Sequence, residues 1–222
     1  MPSMSHPLLL GHRGARATRS IPENTIESFD LALAHGCDGF EFDVRHTADG
    51  RAVICHDQTV HGIEVARAGS SDLQDLPVLR EVLARYSPTA FLDIEVKVSG
   101  LEAIVVQALR AHPPQRGYVV SSFLPEVLLA LSTLDREIPL GLICEERQQL
   151  ALWTELPIVF VIPHHSLVDE ALCQLLHAAR KQILVWTVNR REEMLQLRSW
   201  GVDGIISDDT KLLLEELRPP KT

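Results

Sequence analysis

Phe91-Leu92-Asp93-Ile94-Glu95-Val96-Lys97 places a charge on every second residue of an otherwise apolar run, and the earlier Gly39-Phe40-Glu41-Phe42-Asp43-Val44-Arg45 does the same. Side chains alternate faces along a β-strand. Asp93, Glu95 and Lys97 therefore share one face, and Leu92, Ile94 and Val96 the other. Glu41 and Asp43 are set in the same way against Phe40, Phe42 and Val44. An antiparallel strand with one face in water shows this alternation too, so the place of the two segments in the chain decides between the readings.

Around them, short apolar runs alternate with helical patterns, as in successive βα units. Strands are expected at Pro7–Gly11, Gly39–Val44, Ala90–Val96, Tyr118–Ser121, Leu140–Cys144, Ile158–Ile162, Ile183–Val188 and Gly204–Ser207, with Ala52–Cys55 as a short extra strand. Helices are expected at Thr25–Ala34, Leu79–Tyr86, Leu101–Arg110, Pro125–Leu134, Gln148–Leu156, Val168–Lys181, Arg191–Trp200 and Thr210–Leu217. Asn24 is the expected N-cap of the first helix and Gly36 its C-cap. Eight strands and eight helices in alternation favour an α/β fold of the closed (β/α)8 TIM-barrel type, one domain over residues 1–222. The alternative, a doubly wound open sheet, lacks its phosphate fingerprint, because no GxGxxG follows the first strand.

A barrel strand has helices outside and other strands inside, so neither face meets open water. Inward carboxylates are then costly unless they are paired or bind a cation. Glu41, Asp43, Glu95 and Lys97 are read as falling in the last third of their strands, at the end of a barrel that carries the chemistry. A functional cluster is the favoured reading; structural ion pairs at the barrel mouth are the alternative. Asp93 lies one step deeper and is read as a structural ion-pair member.

The totals remove several function classes. With 222 residues, 45% hydrophobic and 23% charged, the chain has an ordinary globular composition. A formal net charge of −9 argues against nucleic acid, and no basic run suggests stable membrane association. An anionic small substrate needs a local positive site working against that overall field. Leu8-Leu9-Leu10 is too short for a secretory or membrane segment. Cys37, Cys55, Cys144 and Cys173 form no CxxC pair, which reads as reduced thiols in a cytoplasmic protein.

The first strand runs into Gly11-His12-Arg13-Gly14, where glycines allow close backbone approach to a ligand, His12 can exchange protons and Arg13 can grip an oxyanion. Pro22-Glu23-Asn24-Thr25 follows, and capping accounts for Asn24 but leaves Glu23 unexplained. Cys55-His56-Asp57 delivers a second histidine. These motifs, with Glu41-x-Asp43, Glu95-x-Lys97, Ser121-Ser122-Phe123, Trp186-Thr187-Val188-Asn189 and Gly201 to Asp208, occur in the order of one family. Over residues 8 to 215 the chain resembles the glycerophosphodiester phosphodiesterases, whose fold is a (β/α)8 barrel.

The resemblance implies that Glu41, Asp43 and Glu95 hold one divalent cation, Mg2+ or Ca2+, which suits an all-oxygen ligand set. It implies further that Arg13 and Lys97 bind the phosphodiester, and that His12 and His56 are the acid–base pair in its hydrolysis to sn-glycerol 3-phosphate and an alcohol. Attack by the substrate's own glycerol hydroxyl, giving a cyclic phosphate, and direct attack by water both remain open. Trp186 is read either against the glycerol or as core. One of His164 and His165 is a candidate for the pocket, with Ser122 and Phe123 at its mouth. His35, His46, His61, His112 and His177 read as surface residues.

Two departures from the family stand out. The link after His56-Asp57 is short, as in the compact bacterial type, which leaves the alcohol undefined. Ser207-Asp208-Asp209-Thr210 replaces the commoner SDxP, with Asp208 or Asp209 as a helix cap. Alternative functions are a lysophospholipase D-like phosphodiesterase, a non-catalytic barrel binding a phosphorylated ligand, and a sugar-phosphate isomerase. The assembly is expected to be a monomer or homodimer.

Overall fold

A computed structural model describes residues 6–218; 1–5 and 219–222, which the single-domain reading included, lie outside the described residues. The strands are β1 (Leu8–Gly11), β2 (Gly39–His46), β3 (Ala52–Ile54), β4 (Thr59–Val60), β5 (Ile63–Glu64), β6 (Phe91–Val96), β7 (Tyr118–Ser122), β8 (Leu140–Cys144), β9 (Phe160–Pro163), β10 (Gln182–Val185) and β11 (Gly204–Ser207). Eight of them run parallel in the order β1-β2-β6-β7-β8-β9-β10-β11, and β1 pairs with both β11 and β2, which closes the barrel. The extra strand β3 returns antiparallel along the end of β2, and β4 and β5 form a small hairpin in the connection that follows.

The helices are α1 (Ile26–His35), α2 (Leu79–Tyr86), α3 (Glu102–Ala111), α4 (Pro125–Leu134), α5 (Arg147–Ala151), α6 (Glu170–Ala178), α7 (Arg191–Ser199) and α8 (Thr210–Leu217). The expected helix at Gln148–Leu156 is a short α5 followed by a 3-10 turn at Leu152–Thr154. The N-cap of α1 is Thr25, whose side chain accepts from Ser28 N, so Asn24 is free for another task. Gly36 closes α1 in the left-handed conformation, as expected. Among the described residues no helix is long and apolar enough to cross a membrane.

The alternating pattern sorts into two cores. Phe40, Phe42 and Val44 of β2 and Leu92, Ile94 and Val96 of β6 point outward and are buried under the helices. Phe40 stacks on Phe29 of α1, with centroids 4.2 Å apart, and meets Tyr86 of α2 edge-on at 5.0 Å. Inside the barrel, Leu10, Phe91, Val119, Ile143, Phe160, Ile162, Leu184 and Ile206 form a second cluster. The inner face of β6 therefore reads Phe91, Asp93, Glu95 from floor to mouth. The parallel register sets Glu41 beside Asp93 and Asp43 beside Glu95, so four carboxylates occupy two adjacent rows.

The strand limits shift the expected placement. Because β2 continues to His46, Glu41 and Asp43 sit in its first and middle thirds, while Lys97 lies just past β6. The last two residues of β2 extend beyond the barrel wall to pair with β3, which explains the difference.

Phe40→Ala is expected to cost about 3–5 kcal/mol, the usual range for removing a buried aromatic ring. A urea unfolding curve reads this directly, and a loss below about 1 kcal/mol would show that the ring stack does not hold β2 to α1 and α2.

Candidate active site

The two carboxylate rows define the site. Glu41, Asp43 and Glu95 are buried and can each turn one oxygen into a group spanning no more than 4.8 Å. Two like charges at that separation repel by about 3 kcal/mol at an effective dielectric near 20. Burial first, then repulsion from Asp43, Glu95 and Asp93, pushes the Glu41 carboxyl well above its ordinary range. Burial followed by repulsion from Asp43 drives Glu95 up to about 8, against the pull of Lys97. Asp43 goes the other way: burial would raise it, but Lys97, Arg13 and a hydrogen bond from Asn24 together hold it down.

The protein supplies two full cations to this nest. Lys97 Nζ lies 2.7 Å from Glu95 Oε1 and 3.3 Å from Asp43 Oδ1, and Arg13 Nε lies 3.2 Å from Asp43 Oδ2. Glu41 Oε2 accepts from the Arg13 backbone N–H at 3.0 Å, while its buried Oε1 finds no hydrogen-bond partner among the described residues. Carboxylates in excess of cations, one with an unmet oxygen, fit a hard divalent cation held by Glu41, Asp43 and Glu95.

Asp93 departs from the expected ion pair. Its carboxyl accepts from Ser121 Oγ at 2.5 Å, and burial pushes it up to about 7. Its Oδ2 is buried without a hydrogen-bond partner among the described residues, and Lys97 and Arg13 are engaged by the carboxylates above it.

The acid–base candidates arrive from opposite sides of this nest. His12 follows β1, is nearly fully buried, and has Nε2 3.8 Å from Glu41 Oε2 and Nδ1 2.7 Å from Asp208 Oδ1. Burial, outweighing the bond to Asp208, lowers the His12 pKa and favours the neutral ring. His56 comes from the loop after β3, with Nδ1 2.8 Å from Asp57 Oδ1 and its carbonyl accepting from Arg45 Nε at 2.7 Å.

A cavity of about 280 Å³ joins His12, Arg13, Glu41, His56, Glu95 and Lys97 on one side to Phe123, Ile143, Ile162, Trp186 and Ile206 on the other. Asp43 lies beneath it. Trp186 follows β10, half-buried, and its Nε1 donates to Ile162 O at 2.9 Å, which turns the ring edge-on to Phe123 at 5.6 Å. His12, Arg13, Glu41, His56, Glu95, Lys97 and Trp186 thus meet here.

Three expectations need correction. Ser122 is fully buried and donates to Val96 O, so only Phe123 reaches the mouth. Neither His164 nor His165 lines the cavity; His164 packs edge-on behind Trp186 at 5.3 Å. The glycines of the first motif serve the loop itself rather than a ligand. A Cβ on Gly14, which has φ +86°, would lie 2.3 Å from Ser28 Oγ, and one on Gly11 would lie 2.4 Å from Gly14 O. Of the two expected cap candidates, Asp209 caps α8 by accepting from Leu212 N, and Asp208 is the His12 partner.

Sequence reasoning also missed Asn24. It sits at φ +58°, donates Nδ2 to Asp43 Oδ2 at 2.8 Å and accepts from Asp43 N, clamping that carboxylate from the first loop. The available signal was Thr25, a competent cap of its own, which left Asn24 without a capping role. For Asp208 the signal was two consecutive acids before a helix that needs only one cap.

This is a (β/α)8 barrel of the phosphodiesterase type, with its polar residues gathered at the strand ends. The glycerophosphoryl diester phosphodiesterase family model matches residues 12–99 and 94–212. A glycerophosphodiester phosphodiesterase of Caldanaerobacter subterraneus subsp. tengcongensis is 28% identical, over 95% of this chain and 98% of that protein. A solved phosphodiesterase of Oleispira antarctica, in complex with the product sn-glycerol-3-phosphate, is 26% identical and has a TM-score of 0.83, covering 95% of this chain and 96% of that one. The glycerophosphodiester phosphodiesterase of Thermotoga maritima shares the fold, with a TM-score of 0.81 at 24% identity over 96% of this chain and 99% of that one. The chain belongs to the glycerophosphoryl diester phosphodiesterase family and is a phosphoric diester hydrolase.

Burial would raise the Asp208 carboxyl, but the His12 hydrogen bond and charge, Asn189 and Arg16 hold it down at about 2, below its ordinary 3.8. A depressed carboxyl contributes stability that is present above about pH 4 and lost as pH falls through about 2. Asp208→Asn should therefore trail the wild type by about 2 kcal/mol at pH 5, with the gap closing toward pH 2. Urea midpoints across that range measure it; a gap independent of pH would remove the charge of Asp208 as its source.

Proposed function

We propose that the protein hydrolyses water-soluble glycerophosphodiesters to sn-glycerol 3-phosphate and an alcohol, using one divalent cation and a histidine pair. The observation that carries this reading is the meeting of His12, His56, Arg13 and Lys97 around one cavity, over a carboxylate nest that outnumbers its cations. The product complex of the Oleispira relative supports the choice of substrate.

Glu41, Asp43 and Glu95 would hold the cation, Mg2+ or Ca2+. When bound it supplies positive charge against the phosphate and against the extra charge of the pentacoordinate transition state. Arg13 and Lys97 point cationic N–H groups into the same cavity and bind the non-bridging oxygens. His12, kept neutral by burial and held at Nδ1 by Asp208, has Nε2 free to accept the nucleophile's proton. His56, on the more open side, protonates the departing alcohol oxygen. Phe123 and Trp186 give the carbon skeleton of the glycerol an apolar wall.

A water-soluble diester fits better than a lysolipid. The large exposed apolar side chains among the described residues (Ile63, Leu129, Leu134, Val159 and Leu175) all lie away from the cavity lining, so no apolar lip surrounds it.

The test is a product assay with glycerophosphocholine, glycerophosphoethanolamine and lysophosphatidylcholine, with and without EDTA. Turnover of the first two, abolished by EDTA and restored by Mg2+ or Ca2+, is expected; turnover of the lysolipid alone, or full activity in EDTA, would overturn the reading. His12→Ala and His56→Ala should each lower kcat by about 10²- to 10⁴-fold, the usual worth of a general acid or base.

A further inference from the structure

We infer that Arg16 is a positioning residue that ties the phosphate-binding Arg13 and the proton-exchanging His12 into a single rigid unit. The inference rests on the phosphodiesterase reading above. Arg16 lies outside the cavity lining, with 41% of its side chain exposed, so it does not touch the substrate. It acts through two carboxylates. Arg16 Nε donates to Glu23 Oε2 at 2.5 Å, and Nη1 lies 3.3 and 3.4 Å from the two oxygens of Asp208.

Each of those carboxylates also holds one reacting side chain. Glu23 Oε1 accepts from Arg13 Nη1 at 2.6 Å, and Asp208 Oδ1 is paired with His12 Nδ1 at 2.7 Å. The contacts form a circuit, Arg13 to Glu23 to Arg16 to Asp208 to His12, which the His12–Arg13 peptide bond closes. The circuit spans the loop after β1 and the loop after β11. The two loops are also joined by backbone links such as Ala17 N to Asp208 O at 3.0 Å.

The geometry explains why a bridging cation is wanted. Arg13 sits at φ +50°, and its guanidinium is divided between Glu23 and Asp43. Glu23 is half-buried on the rim and would turn toward water if Arg13 were its sole partner. Asp208 is already gripped by Asn189, whose Nδ2 donates to Oδ2 at 2.7 Å, but Asn189 adds no charge. Arg16 provides a planar fork able to hold both carboxylates at once, which a lysine ammonium cannot match. Holding them fixes the Arg13 fork and the His12 ring, with Nδ1–H toward Asp208, before substrate arrives.

A solvent-facing ion pair contributes little to stability, so Arg16→Ala should leave the melting temperature within about 4 °C of wild type. In the metal-loaded enzyme the same variant should lose about 10- to 100-fold in kcat toward glycerophosphocholine with KM little changed. Millimolar guanidinium ion should restore part of that loss, and sodium at equal ionic strength should not. Arg16→Lys should recover less of the rate than guanidinium does.

A second readout needs no turnover. In wild type labelled with 15N-histidine, a hydrogen-bonded Nδ1–H signal from His12 should be sharp at low field; it should broaden in Arg16→Ala and vanish in Asp208→Asn. Wild-type kcat together with an unchanged His12 signal in Arg16→Ala would overturn the inference. So would a kcat loss that follows a lowered melting temperature and resists guanidinium. If the wild type turned over none of the diesters, the proposed function would fail, and the His12 signal would still decide the role of Arg16.

Discussion

Four carboxyl groups stacked in two neighbouring rows inside a closed barrel are the constraint around which the remaining structure is arranged. Parallel pairing of β2 with β6 puts Glu41 beside Asp93 and Asp43 beside Glu95, and no slip of one residue is possible without turning Phe40 and Phe42 into the interior. The interior cannot tolerate all four charges at once. Asp93 is relieved by its Ser121 hydrogen bond and an upward-shifted pKa, while Asp43 keeps its charge because Lys97, Arg13 and Asn24 converge on it. Glu41 and Glu95, pushed upward, are left as groups that a bound cation would return to their ionised form.

The outer packing makes that arrangement possible. Phe29, Phe40, Phe42 and Tyr86 interlock between β2 and helices α1 and α2, and the polar face of β2 is held at fixed depth by the apolar face behind it. Inside, Leu10, Phe91, Phe160 and Leu184 fill the barrel floor, so the polar groups are confined to the mouth. Stability and function therefore divide along the length of each strand, as well as between its two sides.

Much of this was readable from local pattern. Alternation in Phe91–Lys97 and Gly39–Arg45 separated outer from inner faces, and the eightfold βα rhythm turned the inner face into the interior of a barrel. The helices with clear ends, Leu79–Tyr86, Pro125–Leu134 and Thr210–Leu217, have the limits expected of them. The cavity also brings together residues as distant as His12 and Trp186 that the motif order had nominated. At Asn24 and Asp208 the polar residue had two plausible partners, one local and one far away. Asn24 and Asp208 looked like caps because a cap is judged within a few residues, yet their partners Asp43 and His12 lie 19 and 196 positions away. Gly11 and Gly14 looked ligand-facing because a glycine does not reveal which neighbour crowds it.

The sequence by itself determined which side chains are apolar, which carry charge, and with what period they alternate. Those properties are set by the chemistry of each residue and by strand and helix geometry, and they sufficed for the barrel and for the inward carboxylate face of β2 and β6; the histidines, Arg13 and Trp186 were nominated by the order of the family's motifs. The tertiary structure alone decided how charge is distributed among Glu41, Asp43, Asp93 and Glu95, which histidine nitrogen is held, and that Arg16 joins Glu23 to Asp208. These outcomes depend on distances of a few ångströms between residues far apart in the chain. Electrostatic energies change steeply over such distances, and no local pattern encodes them.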